Sequence, residues 1–288
     1  MKLSFSTKGW HNSSFEEFCA TAVDLKFEGI ELHNIHNRLF TDKDGAFHDY
    51  TSAQTLRKLY ELKLSIPCVD SICDCAKPEE YGDTIQEIKA CMNIAKNLKI
   101  PAVRIRAKAN ENTEKAFENI KNIIEEVISE AESNGITLLV ETSGIFCDTA
   151  LLLELLNTFA CDNLAALWDM YSTFFIGKED AETTIKNLGA YVRHVHIKDA
   201  IKENGITTGV RIGDGAVDYK GMIKEFITSE YNGAVIFEPH YKPGLVMSEE
   251  LLRNPQGSQI SAMGDIASKE CILSLNEIIN HIKKEIEL

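Results

Sequence analysis

Prolines are scarce, six in 288 residues, with 17 glycines and two tryptophans, and this excludes collagen-like and proline-rich disordered architectures. Cations are in deficit as well: 30 lysines and arginines face 44 aspartates and glutamates, a formal charge of -14. Such a chain repels nucleic-acid phosphates and anionic bilayers unless its few cations cluster, so neither a nucleic-acid nor a membrane partner is expected. No window approaches the run of about 18 apolar residues that a membrane span requires. The opening Met-Lys-Leu-Ser-Phe-Ser-Thr-Lys-Gly-Trp is broken by polar residues and lacks a signal-peptide core, which predicts a cytoplasmic protein. A Cys-x-x-Cys pair is also missing: Cys19, Cys68, Cys73, Cys75, Cys91, Cys147, Cys161 and Cys271 are scattered, and they read as reduced, mostly buried thiols. Cys73-Asp74-Cys75 is the one cluster, and alone it supplies half a zinc site.

What is present is alternation. Short β-rich runs begin at Leu3, Gly29, Leu64, Val103, Thr137, Ala165, Val192 and Ala234, with amphipathic segments between them. Phe117, Ile120, Ile124, Val127 and Ala131 share one helical face, and Gly135 stops that helix. Ile85, Ile88, Met92 and Ala95 form a similar face ahead of Pro101, and Ser268 to Ile282 reads as the last helix. Eight units of about 36 residues predict an α/β chain folded as a single-domain (β/α)8 TIM barrel over residues 1–288. The competing doubly wound sheet buries both strand faces and prefers strands that are apolar throughout. Here the strands have one polar face, as in Val103-Arg104-Ile105-Arg106 and His194-Val195-His196-Ile197-Lys198, which fits a barrel with a polar interior.

Five strands end on groups with chemistry: Arg106, Glu141, Asp169, His196 with Lys198, and Glu238. In a barrel these would converge on the catalytic mouth. A lone acid ending a strand is more often a helix cap or an ion-pair partner, and a lone histidine is often a satisfied core residue, but recurrence on successive strands outweighs those readings. Clustered carboxylates raise one another's pKa unless a cation joins them, so one divalent metal is expected. Oxygen-rich ligation with a single imidazole favours Mn2+, with Mg2+, Co2+ or Zn2+ as alternatives. Arg104 and Glu31, lower on their strands, read as an interior ion pair. Trp10 and His33 are placed at the mouth, in contact with substrate or simply packed there.

Lys-Phe-Glu-Gly-Ile-Glu-Leu (26–32), Leu-Leu-Val-Glu-Thr (138–142), Leu-Trp-Asp (167–169), His-Val-His-Ile-Lys-Asp (194–199), Gly-Asp-Gly-Ala-Val-Asp-Tyr (213–219) and Phe-Glu-Pro (237–239) together resemble the xylose isomerase-like TIM barrels. That superfamily includes sugar phosphate isomerases and epimerases, ketose 3-epimerases, hydroxypyruvate isomerase and inosose dehydratase. The resemblance implies Glu141, Asp169, His196 and Glu238 as metal ligands, and Glu141 and Glu238 as the pair that removes and returns a substrate proton through an enediolate. Arg211 matches a substrate-contacting position, and Arg106, His194 and Lys198 join it as substrate-binding residues. Asp218 reads as a helix N-cap. One position departs from the pattern: Asp169-Met170-Tyr171-Ser172 stands where many members have Asp-x-x-His. A three-zinc DNA-repair branch of the fold fits poorly, because Ser172, Cys68 and Arg106 occupy positions that need histidines.

The resemblance therefore implies an isomerase or epimerase of a small sugar, keto-sugar or polyol derivative, working as a homo-oligomer, dimer or tetramer. Two alternatives stay open: a lyase of the same superfamily, inosose dehydratase-like or acting on 3-keto-glycosides, and a sugar-binding subunit completed by another chain. Residues 239–267 are long for a connection and are expected to form a loop excursion at the catalytic face, as a lid or an oligomer contact.

Overall fold

The computed structural model describes residues 2–9, 13–33, 45–108, 112–204, 206–228, 231, 233–237, 246–247 and 264–286. Its strands are β1 (Lys2–Ser6), β2 (Gly29–His33), β3 (Val69–Asp70), β4 (Ala102–Ile105), β5 (Thr137–Glu141), β6 (Leu164–Asp169), β7 (Val192–Ile197), β8 (Asp199–Glu203), β9 (Ile206–Val210), β10 (Ala234–Phe237) and β11 (Val246–Met247). The expected barrel is present: eight strands close in the order β1-β10-β7-β6-β5-β4-β3-β2. Two strands end earlier than the sequence pattern indicates, so Arg106 and Lys198 lie just beyond β4 and β7. The run from Leu64 contributes only Val69–Asp70 to the ladder.

The chain divides into two compact units, Glu31–Val195, and Met1–Ile30 with His196–Leu288. In the first unit β3, β4, β5 and β6 pair in parallel, with Asp70 opposite Arg104, Arg104 opposite Leu139, and Glu141 opposite Leu167. Side chains alternate between two environments, as the pleat requires. Val103, Ile105, Leu138, Val140, Ala166 and Trp168 are buried on one side. Cys68, Ala102, Leu139, Ala165 and Leu167 form a buried cluster on the other, and the same strand faces continue to Asp70, Arg104, Glu141 and Asp169. The interior thus changes from an apolar plug to a charged layer within two or three residues of each strand, a rise of about 7 Å per pair of residues.

The helix of Thr113–Asn134 shows how local sequence sets this frame. Asn112 accepts a hydrogen bond from the Lys115 amide at 2.9 Å, Phe117, Ile120, Ile124, Val127 and Ala131 are buried as the periodicity predicts, and Gly135 closes the helix at φ 65°. The helix of Tyr81–Leu98 buries Ile88, Met92 and Ala95 and ends before Pro101, with Lys99 in the left-handed region.

In the other unit β1 pairs in parallel with β10. A second, three-stranded sheet, β11-β9-β8, was not expected from the sequence. A signal was present in the sequence, where Asn-Gly at 204–205 is a dipeptide that favours hairpin turns, and Asn204 has φ 50° with Glu203 opposite Ile206. Asp199 opens this hairpin, and its two carboxylate oxygens accept amide hydrogens from Ala200, Gly213, Gly215 and Val217. A Cβ on Gly215 would sit 2.0 Å from that carboxylate, so glycine is required there. Burial pushes the Asp199 pKa up while the four amides pull against it. Asp218 does cap the helix of Tyr219–Thr228, accepting from Gly221 at 3.1 Å. Most of residues 239–267 lie outside the described residues. Val246–Met247 pairs with β9, and the C-terminal helix already begins at Gly264, before Ser268.

Gly144, at φ 59°, brings the turn after β5 so close to the chain after β4 that a Cβ would lie 1.9 Å from the Ala107 carbonyl oxygen. Gly144→Ala is expected to cost at least about 2 kcal/mol in urea unfolding, from left-handed strain plus a backbone clash. A change under about 0.5 kcal/mol would show that this approach is not required.

Candidate metal centre and active site

β2 to β6 each bring a buried acid or base to the polar interior. Arg104, wholly buried on β4, lies between two carboxylates: its Nε is 3.1 Å from Asp70 Oδ1, and its Nη1 donates to Glu141 Oε1 at 3.0 Å. Its Nη2 donates to the Ser71 carbonyl at 3.3 Å. Glu141 also accepts from the Ser143 hydroxyl, through Oε2 at 2.8 Å. Glu31 on β2 meets His194 Nε2 on β7 at 2.6 Å. The interior ion pairing includes partners that the sequence did not indicate. Arg104 joins Asp70 to Glu141, and Glu31 takes an imidazole. Asp70 was missed although its strand ends on it after Cys68-Val69, the same signature that identified Asp169 after Leu167-Trp168.

Asp169 ends β6 and caps the turn that follows, its Oδ1 accepting the Ser172 amide at 2.9 Å. Its own amide donates to Thr142 Oγ1 at 2.8 Å, which ties the ends of β5 and β6 together. Ser172, where the family pattern has histidine, is buried and contributes its backbone to this cap. Three sets of side chains offer one ligand atom each within 4.8 Å of the others: Glu141, Asp169 and His196; Glu31, His194 and His196; and Glu31, Cys68 and Asp70. The last set pairs two carboxylates with a soft thiol whose pKa is driven well above its ordinary value by burial, with Asp70 and Glu31 nearby, and it suits a hard, oxygen-seeking cation less well than the first. In the first set two hard carboxylate oxygens and one imidazole suit a divalent ion.

The other expected site residues fall in different places. His33 ends β2 and is buried, and Lys198, also buried, exchanges backbone hydrogen bonds with the Tyr219 hydroxyl. Arg106 is half-buried just past β4. Arg211 is exposed and makes a two-pronged contact with Asp214 at 3.0 and 3.1 Å across the Gly213 turn. Glu238 and Trp10 lie outside the described residues. Cys73 and Cys75 are buried with their sulfurs 3.8 Å apart, and among the described residues neither joins a three-ligand group.

A family model described as the xylose isomerase-like TIM barrel matches residues 19–259. The chain belongs to that family. The match spans the strands that carry Glu31, Asp70, Arg104, Glu141, Asp169, His194 and His196. No curated protein matches the chain. Solved structures of similar fold include an IOLI protein with a bound zinc atom, at 16% identity over 98% of this chain and 99% of that one, TM-score 0.75. D-psicose 3-epimerase with D-tagatose from Clostridium cellulolyticum H10 is 14% identical over 98% and 99%, TM-score 0.71. The probable 3-DHS dehydratase AsbF of Bacillus anthracis is 17% identical over 96% and 99%, TM-score 0.70. This xylose isomerase-like barrel therefore shares its fold with epimerases, a dehydratase and a zinc-binding protein. Among the described residues no helix is long and apolar enough to cross a membrane.

Arg104→Leu leaves Asp70 and Glu141 buried without their shared cation. The expected loss is about 3 to 5 kcal/mol in denaturant unfolding at neutral pH. A loss below about 1 kcal/mol would mean that the two acids are neutralised in some other way.

Proposed function

We propose that this barrel is a divalent-metal-dependent isomerase or epimerase of a small sugar, keto-sugar or polyol derivative. The observation that carries this reading is the convergence of Glu141, Asp169 and His196 within 4.8 Å in a member of the xylose isomerase-like family. These three, with Glu238 from the Phe-Glu-Pro motif, are assigned as ligands, and Mn2+ suits the donor set best. When bound, such an ion stabilises negative charge on a substrate oxygen. Glu141 and Glu238 are assigned to remove and return the proton on the carbon beside the carbonyl. Arg104 and Ser143 fix the Glu141 carboxylate through both of its oxygens, so the base is oriented before substrate arrives. His194, held by Glu31, joins His33, Trp10, Lys198 and Arg211 as a candidate substrate contact. Arg211 would have to exchange Asp214 for substrate. A homo-oligomer, dimer or tetramer, and a cytoplasmic location complete the reading.

A second reading, elimination by a lyase, is favoured by one observation. The Ser172 amide donates to the Asp169 cap, and its side chain is a hydroxyl where an Asp-x-x-His pattern would add an imidazole. Incubating Mn2+-loaded protein with ketohexoses and with 3-keto-glucosides in D2O separates the two. Isomerisation gives deuterium incorporation with the carbon skeleton and all oxygens retained, and elimination gives loss of water or aglycone. Glu141→Gln is expected to lower either activity by at least about a hundredfold. Full activity in that variant would remove Glu141 from the mechanism.

A further inference from the structure

Arg104, Arg106 and Lys108 are alternate residues leading out of β4. Arg104 faces two carboxylates. Arg106 and Lys108, half-buried beyond the strand, do not: among the described residues neither makes an ion pair, and the buried Arg106 Nε has no hydrogen-bond partner. Burial first, and then the Arg106 charge, lower the Lys108 pKa. Lys77 adds to this, while Asp74 and Glu80 oppose it. Two like charges are therefore held near one another with no carboxylate in direct ion-pair contact among the described residues, in a chain whose net charge is -14.

The backbone that holds them is anchored. The Arg106 carbonyl accepts from the Cys75 amide at 2.8 Å, and the Lys108 amide donates to Asp74 Oδ1 at 2.9 Å. Asp74 is thereby engaged with backbone, since its Oδ1 also accepts from Ala76. Between the two cations, Ala107 lies under Gly144 at a distance that only a glycine permits. The β4–β5 register has Ile105 opposite Val140 as its last pair, and its continuation puts Arg106 level with Glu141. Arg106 thus leaves β4 at the level where Glu141, the carboxylate assigned as base, ends β5, and the backbone of Lys108 lies against Gly144 in the turn that follows.

We propose that the substrate carries an anionic group, a carboxylate or a phosphate, which Arg106 and Lys108 bind beside Glu141. This rests on the isomerase or lyase reading of the same mouth. The guanidinium offers a fork for two oxygens of the anion, and the ammonium supplies a point charge. An anion placed there removes the repulsion between the two cations and fills the hydrogen-bonding capacity of Arg106, so a charged sugar acid or sugar phosphate is preferred over a neutral sugar.

The test is calorimetric titration of the full chain, Mn2+-loaded and metal-free, with D-glycerate, glycerol 3-phosphate and glycerol. At least one anion should bind at least about tenfold more tightly than glycerol, and whichever binds identifies carboxylate or phosphate. Arg106→Gln and Lys108→Gln should each weaken that binding by about ten- to a hundredfold, the equivalent of one charge-assisted hydrogen bond. Lys89→Gln, whose ammonium faces Glu126 at 3.6 Å instead of the Arg106–Lys108 pair, should leave it unchanged, and circular dichroism verifies that the variants fold. Anions that bind no better than glycerol, or equally well to both variants, overturn the proposal. So does anion binding that survives both substitutions and vanishes with the metal, because the anion would then sit on the ion. If Arg106-dependent binding persists in a protein that takes up no Mn2+, the anion site stands and the metal-dependent reading falls. If neutral ketoses exchange deuterium while no anion binds, the reading stands and the anion site falls.

Discussion

The guanidinium of Arg104 is the contact around which the interior is organised. Asp70, Arg104 and Glu141 come from three adjacent strands and are all buried, so none can turn to water. Two carboxylates at such depth cannot both ionise cheaply without a shared cation. Arg104 provides it, and in doing so fixes the height at which β3, β4 and β5 present their charges. Glu31 with His194 does the same for β2 and β7. Two hard carboxylate oxygens and one imidazole within 4.8 Å make a divalent cation a natural occupant of the group formed by Glu141, Asp169 and His196.

Orientation at the mouth comes from backbone. Asp169 is held by the Ser172 amide and, through its own amide, by Thr142, and Asp199 gathers four amides of the Gly-Asp-Gly turn and the residues around it. Asp169 ends β6 and Asp199 opens β8, and each carboxylate gathers the amides of a neighbouring turn, so side chain, strand terminus and turn are tied together. Under the proposed function such rigidity would serve chemistry, because a base or ligand held before substrate binds needs little reorganisation during reaction.

Much of this was legible in the sequence. Barrel strands whose interior face is polar betray themselves by alternation, and the helix of Thr113–Asn134 announces both its buried face and its stop at Gly135. Glu141 and Asp169 stood out because each ends an apolar run, and His196 because it alternates with His194 on the polar face of β7. Partner choice inside the barrel was not legible. Arg104 meets Asp70 and Glu141, and Glu31 meets His194, because ladder register sets their relative heights, and a one-strand sequence pattern carries no register. The hairpin after β7 was readable from Asn204-Gly205 but was obscured by its charged residues, Lys202 and Glu203. Lys108 gave no signal at all, since a lysine past a strand end looks like any solvated cation until its neighbours are known.

The central claim is that the interior charge layer exists to hold a divalent ion at Glu141, Asp169 and His196. Electron paramagnetic resonance during titration of metal-free protein with Mn2+ tests it most directly, because bound and aqueous Mn2+ have distinct spectra. The account predicts saturable loss of the aqueous signal at one ion per chain, abolished by Asp169→Asn with the fold intact. An aqueous signal that rises linearly from the first addition, or equal uptake by Asp169→Asn, would contradict it.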